Sequence, residues 1–231
     1  MCGRYTFTDP EAVKKALARL GFKMAPETAL PKRFNVAPTQ EMPIVINRTG
    51  PEVVRMRWGS QWRDENNRVQ LSINARSEKA AYTRFKHAVE SRRCLVPASS
   101  FFEWDRSKEP SIPHLFGVTG QGAFWIAGAW EEPTAEFGAG YLVLTTKPND
   151  LVQRIHDRMP VILRDDAARA WLSPGHLSQG KINEFCPSYP AAEMSDTVVS
   201  LLANNARNDG PECVEPYHAP DPSVTRPGEL F

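Results

Sequence analysis

Phe124-Trp125-Ile126-Ala127-Gly128-Ala129-Trp130, followed after a turn containing Gly and Pro by Tyr141-Leu142-Val143-Leu144-Thr145-Thr146, decides the fold class. Each run is short, apolar and bounded by turn residues, the pattern of a strand inside a β core. His114–Val118 belongs to the same series, and an antiparallel arrangement joins the three with the least connecting chain. Working outward, strands are expected at Arg4–Phe7, Leu71–Ala75, Cys94–Pro97, Phe101–Trp104 and, late in the chain, Thr197–Leu202. Pro43–Asn47 and Glu52–Trp58 flank Arg48-Thr49-Gly50-Pro51 and read as a hairpin.

Helices fall around this series. Asp9-Pro10-Glu11 is an N-cap followed by Pro at the first helical position, Val13, Ala16, Leu17 and Leu20 recur at helical spacing, and Gly21 is placed to end the helix. Glu78–Glu90, Asp166–Leu172 and Ser178–Phe185 read as further helices, and Asn149-Asp150 caps a short one running to Ile155. Pro26, Pro31, Pro38 and Pro43 break regular structure over 22–43, which is expected as an ordered loop, and Gln61–Gln70 as a polar surface loop. There is no internal repeat and no strand–helix alternation of the kind that builds a parallel sheet. The expectation is an α+β fold: a single β-rich domain with mainly antiparallel strands and several peripheral helices. It spans residues 1–210, with 211–231 as a Pro-rich irregular tail.

A chain of 231 residues with 41% hydrophobic residues and six Trp can bury a sizeable core. No apolar run approaches the length of a membrane span and no signal pattern opens the chain, so a cytoplasmic protein without membrane contact is expected. Cys2, Cys94, Cys186 and Cys213 are scattered and include no C-x-x-C pair, which suggests neither a zinc ribbon nor a disulfide framework; no metal or other cofactor is expected. A formal net charge of +1 argues against coating duplex nucleic acid through charge alone, while leaving room for a local basic groove. Nucleotide-binding, hydrolase-elbow and zincin motifs are all missing.

What remains is a thiol, a carboxyl, an imidazole and several arginines. With Met1 removed, Cys2 would carry a free α-amine beside its thiol, a 1,2-aminothiol that condenses with aldehydes: the amine forms a Schiff base and the thiol closes a thiazolidine. Glu103 lies between Phe102 and Trp104. In a buried strand its pKa would rise toward neutrality; on an edge strand it would simply be solvated. His156 stands at an element end. Arg84, Lys86, Arg92 and Arg93 make their region basic, for which a solvated helix face is the plain alternative.

Five segments, Met1-Cys2-Gly3-Arg4-Tyr5, Arg33-Phe34-Asn35-Val36-Ala37-Pro38, Ile73-Asn74-Ala75-Arg76, Phe102-Glu103-Trp104 and Ile155-His156-Asp157-Arg158-Met159-Pro160, together resemble the SOS-response-associated peptidase (SRAP) family, and Val199-Ser200, Asn205, Asn208 and Gly210 extend the resemblance. It implies recognition of abasic sites in single-stranded DNA and covalent linkage through Cys2, with Asn74, Glu103 and His156 as companions in the site. His156 would give a proton to the sugar ring oxygen, Glu103 would exchange one with the amine, and Asn74 would hold the amine or the opened sugar. Arg4, Arg33, Asn35, Arg76 and Arg84 would contact DNA, and Trp58, Trp62 and Trp104 would stack on bases, with core packing as the alternative role of at least one Trp. The partner expected is single-stranded DNA with abasic sites, met by a monomer that associates with the nucleoid when bound. Trp58-Gly59-Ser60-Gln61-Trp62 has no proline where the family has one, and Ser100 replaces a usual glycine. Two other functions fit the residues: a thiol peptidase using Cys2 and His156, including one limited to removing Met1, and a non-catalytic single-strand binding module.

Overall fold

The computed structural model describes residues 2–22 and 29–217. The strands are β1 (Tyr5–Phe7), β2 (Arg33–Val36), β3 (Glu41–Asn47), β4 (Pro51–Trp58), β5 (Ser60–Arg63), β6 (Val69–Ser72), β7 (Asn74–Arg76), β8 (Arg93–Ala98), β9 (Ser100–Asp105), β10 (Ile112–Val118), β11 (Phe124–Glu131), β12 (Gly140–Thr146), β13 (Met159–Pro160), β14 (Ile162–Leu163) and β15 (Met194–Val198). The helices are α1 (Pro10–Arg19), α2 (Lys86–Ser91), α3 (Asp165–Leu172) and α4 (Gln179–Phe185), joined by several short 3-10 turns. This is the expected α+β class, and antiparallel pairing dominates.

The largest sheet has eight strands in the order β13-β12-β4-β3-β8-β11-β14, with β7 beside β12, and the pairing of β12 with β11 closes it on itself. Closure leaves β12 as the hub. One of its edges meets β11 and β13, and the other meets β4 and β7, the two parallel pairings in a mainly antiparallel fold. Gly140 is required at the start of this hub, since a Cβ there would collide with the Gly59 carbonyl, and Gly59 itself has φ +118°. A second sheet runs β15-β10-β9-β1-β2. Tyr5, Phe101 and Phe116 join the main core, whereas Phe102 turns the other way into a smaller cluster with Val199, Ala203 and Cys213.

Local chemistry accounts for the differences from the sequence reading. Helix α1 forms as expected: Asp9 accepts from the Ala12 amide, Val13, Ala16 and Leu17 are buried, and Gly21 adopts φ +77°. The proposed loop 22–43 instead contains β2 and the start of β3, with Pro26 outside the described residues. Pro43 is tolerated because β3 meets β8 only at Val45 and Ile46, so the missing N–H falls on a free stretch of edge. Gln61–Gln70 is part of a β5–β6 hairpin whose turn is closed by Asp64, the acceptor for the Asn66 and Arg68 amides. The helix expected over Glu78–Glu90 splits into a 3-10 turn, Ser77–Tyr82, and α2, because Thr83 is extended and accepts from the Phe85 amide. The late strand ends at Val198, and Ser200 then caps a 3-10 turn over Leu201–Asn204. Of the stretch expected as an irregular tail, 211–217 carry a further 3-10 turn with Cys213 fully buried; the remainder, 218–231, lies outside the described residues.

Candidate functional site

Glu103 lies on β9, flanked on one side by β10, where it faces His114 in register, and on the other by the chain leading into β1. Alternation along β9 sends Phe102 to the smaller cluster and turns Glu103 the opposite way, so both faces are covered and the carboxyl is only 2% exposed. The buried reading therefore holds over the edge-strand one. Burial raises Glu103 to about 7. Its Oε1 is sealed and has no hydrogen-bond partner, and its Oε2 stands 3.9 Å from His156 Nε2.

Cys2 is buried beside this carboxyl, and burial, then the charge of Glu103, push its thiol well up from its ordinary value. Asn74, at the start of β7, donates through Nδ2 to the Cys2 carbonyl at 2.8 Å, and its Oδ1 is a second sealed acceptor without a partner. His156 follows a 3-10 turn capped by Asn149, which accepts from the Val152 amide. The Arg158 amide donates to His156 Nδ1 at 3.0 Å. Asp157 Oδ1 lies 3.1 Å from the same nitrogen but is largely exposed to water, so the backbone N–H, which can only donate, sets the assigned tautomer and places the ring proton on Nε2, facing Glu103. Burial, above all, lowers His156. Arg158 anchors the segment: it grips Glu78 with two bonds of 2.6 and 2.9 Å and donates to the Thr145 carbonyl. Cys2, Asn74, Glu103 and His156, widely separated in sequence, are thus brought together.

The residues expected to meet DNA divide. Trp58 is fully buried, with Nε1 bonded to the Ile73 carbonyl and its ring against Tyr5 and Tyr141, so it takes the core-packing alternative. Asn35 is also fully buried: Nδ2 donates to the carbonyls of Ala203, Asn205 and Asn208, and Oδ1 accepts from Arg4. Arg33 is paired with Asp209 and Gln40. Both act as fasteners between β2 and the 203–209 segment. Arg4 also lies over the partly exposed Trp104 ring, which is fixed by Asn204. Arg84 is sandwiched on Trp62 and Phe85 and paired with Glu131. Arg76 is exposed, two residues from Asn74. Sequence reading missed Arg106, an exposed residue just beyond β9 whose charge lowers both Glu103 and His156. Its place directly after Phe-Glu-Trp-Asp was the available signal.

Among the described residues, no group of three or more His, Cys, Asp or Glu side chains could hold a metal ion, and no helix is long and apolar enough to cross a membrane. A cavity of about 490 Å³ near Lys15, Arg19, Arg164 and Tyr189 contains none of the site residues above.

A crystal structure of a protein from Bacteroides thetaiotaomicron matches with a TM-score of 0.77 at 24% identity over 94% of this chain and all of that one, a likeness of fold. Abasic site processing protein YoqW of Bacillus subtilis is 33% identical over 94% of this chain and its own full length. Abasic site processing protein YedK of Escherichia coli is 30% identical over 80% of this chain and 84% of its own. The model of the family described as SOS response associated peptidase (SRAP) matches residues 1–206, and the chain belongs to that family.

Proposed function

We propose that the protein processes abasic sites in single-stranded DNA, capturing the lesion covalently on Cys2 once Met1 has been removed. The supporting observation is the pair of sealed, partnerless acceptors beside Cys2, Asn74 Oδ1 and Glu103 Oε1. A freed α-ammonium has three donors to offer such oxygens, which otherwise pay the cost of burial without a bond.

Roles follow from protonation. At neutral pH His156 is held mainly neutral, so the proton for the sugar ring oxygen comes from Glu103, which is near half-protonated at about 7. His156 Nε2–H then serves as a hydrogen-bond donor to the oxygen that gains electron density. Glu103, now a carboxylate, takes a proton from the α-amine as nitrogen attacks C1. It returns that proton to the former carbonyl oxygen, giving the neutral carbinolamine, and then carries the second amine proton to the hydroxyl, which leaves as water as C=N forms. The Cys2 thiol adds across the resulting C=N, sulfur to carbon and hydrogen to nitrogen, giving the thiazolidine. The net change is aldehyde plus aminothiol to thiazolidine plus one water. Closing the ring consumes the imine that would drive strand cleavage by β-elimination, so lyase activity is a side path. A raised thiol suits this order better than a thiol peptidase, whose nucleophile is a thiolate; peptidase activity is confined to self-processing. The molecule works as a monomer in the cytoplasm, joining the nucleoid through its DNA.

Protein whose loss of Met1 is verified by intact mass is incubated with a strand carrying one abasic site. A denaturation-resistant adduct that disappears in Cys2→Ala is expected; no adduct from the processed protein overturns the proposal, and repeated cleavage of peptides in trans would restore the peptidase reading. Two tryptophans are expected to separate. Trp58→Ala costs about 3–5 kcal/mol of stability by urea unfolding. Trp62→Ala is stable but weakens binding of an intact strand by about 1–3 kcal/mol, the worth of one stacked base.

A further inference from the structure

His114 faces Glu103 in register across the β9–β10 ladder, and paired residues of an antiparallel ladder project to the same side of the sheet. The stacking contacts agree with that side: the His114 ring lies 6.2 Å from Phe116 at 19°, and Phe116 stacks on Phe101. On the next strand, Asp196 meets His114 Nδ1 at 2.9 Å, and its other oxygen lies 4.0 Å from Arg154, two residues before His156. The row Asp196, His114, Glu103 therefore runs across β15, β10 and β9 toward Cys2. A carboxylate on Nδ1 fixes that nitrogen as the donor and leaves Nε2 as an acceptor. Nε2 has no partner among the described residues and is not one of the sealed polar atoms, so it opens toward solvent. His156 has the opposite tautomer, its Nδ1 taken by the Arg158 amide.

Opening a cyclic hemiacetal needs a donor for the ring oxygen and an acceptor for the anomeric hydroxyl. A protonated Glu103 gives its hydrogen to the ring oxygen and keeps only a weakly basic carbonyl oxygen, and a His156 carrying Nε2–H presents no lone pair at that nitrogen; an imidazole nitrogen is the stronger base. We propose that His114 is a second catalytic histidine of this site, the proton acceptor for sugar ring opening. This rests on the capture chemistry proposed above. The anomeric O–H proton passes to His114 Nε2, and its electron pair forms C1=O. The C1–O4′ bond breaks with its electrons to O4′, which takes the Glu103 proton. The imidazolium formed lies between two carboxylates, Asp196 and the newly ionised Glu103, and Arg154 holds Asp196 from the far side. Glu103 is left in the form required to deprotonate the amine.

The test compares two strands, one with a natural abasic site and one with an acyclic aldehyde linker that cannot close to a hemiacetal. His114→Phe, which keeps the stacking on Phe116, and His114→Gln are expected to slow capture of the natural site by about 100-fold, and capture of the open aldehyde by less than about twofold. Loss of rate on both strands, or on neither, overturns the proposal while the Cys2 reading stands. A wild-type protein that captures neither strand defeats the Cys2 reading and this proposal with it. Nitrogen NMR of the imidazoles in the unmodified protein tests the premise independently of capture: His114 is expected with its proton on Nδ1 and His156 on Nε2, and the reverse at His114 overturns the assignment.

Discussion

Glu103→Gln slows capture of an abasic strand by about 100-fold or more, the loss expected when a positioned proton donor and acceptor is removed. Glutamine keeps the volume and the polar atoms but can neither give the ring oxygen a proton nor take one from the amine. The wild-type rate falls as pH rises through about 7, because Glu103 is raised to about 7, must enter ring opening protonated, and is ionised for the next step by the proton it gives. In the variant this dependence on Glu103 disappears. Stability of the variant moves the opposite way to its rate. The folded state holds the Glu103 proton more tightly than the unfolded chain, where the ordinary value is 4.5, so this contribution is fully present below that pH and is lost as pH rises through about 7. Glu103→Gln is therefore more stable than wild type at pH 8 by about 2–3 kcal/mol and gains nothing at pH 4. Urea unfolding at the two pH values checks the sign; equal differences at both would mean that Glu103 is not held protonated by the fold.

Asn35→Ala destabilises the protein by about 3 kcal/mol or more. Its Nδ2 serves three backbone carbonyls in the 203–208 segment and its Oδ1 accepts from Arg4, so truncation strands several polar groups and opens a cavity around them. The loss is concentrated at one seam. The smaller cluster of Phe102, Val199, Ala203 and Cys213 is closed by the same segment, and Trp104 is held by Asn204. The urea midpoint falls, and amide exchange rises first in 199–214. A direct DNA-contact role for Asn35 would instead reduce strand binding while leaving unfolding unchanged.

The central strands were readable because their apolar runs are long enough to outvote local ambiguity, and α1 because a cap, a proline and a glycine agree. The β5–β6 hairpin was not: Ser60, Gln61, Trp62 and Arg63 carry little apolar alternation, and pairing depends on the turn made by Asp64. Site chemistry was legible in type but not in environment. Glu103 between two aromatics could have been solvated, and only the coverage of both faces of β9 decides that it is not. Arg33 and Asn35 looked like DNA contacts because arginine and asparagine suit that task, yet their partners come from Asp209 and the carbonyls of 203–208, a pairing across some 170 residues that no local pattern announces. His114 carried no signal in sequence, since its meaning depends on register with Glu103.

The hub strand β12 has a bearing on which changes the protein can absorb. Val143 is level with Asn74 on one edge, and Thr145 and Thr146 are level with Pro160 and Met159 on the other, just past His156. Two side chains of the candidate site are thus indexed to a single seven-residue ruler rather than to each other. The connections on either side can lengthen or shorten without altering the gap, provided the ruler keeps its count. One residue inserted into Gly140–Thr146 would shift the Asn74 and His156 settings together, whereas several inserted into the β5–β6 turn would leave both untouched.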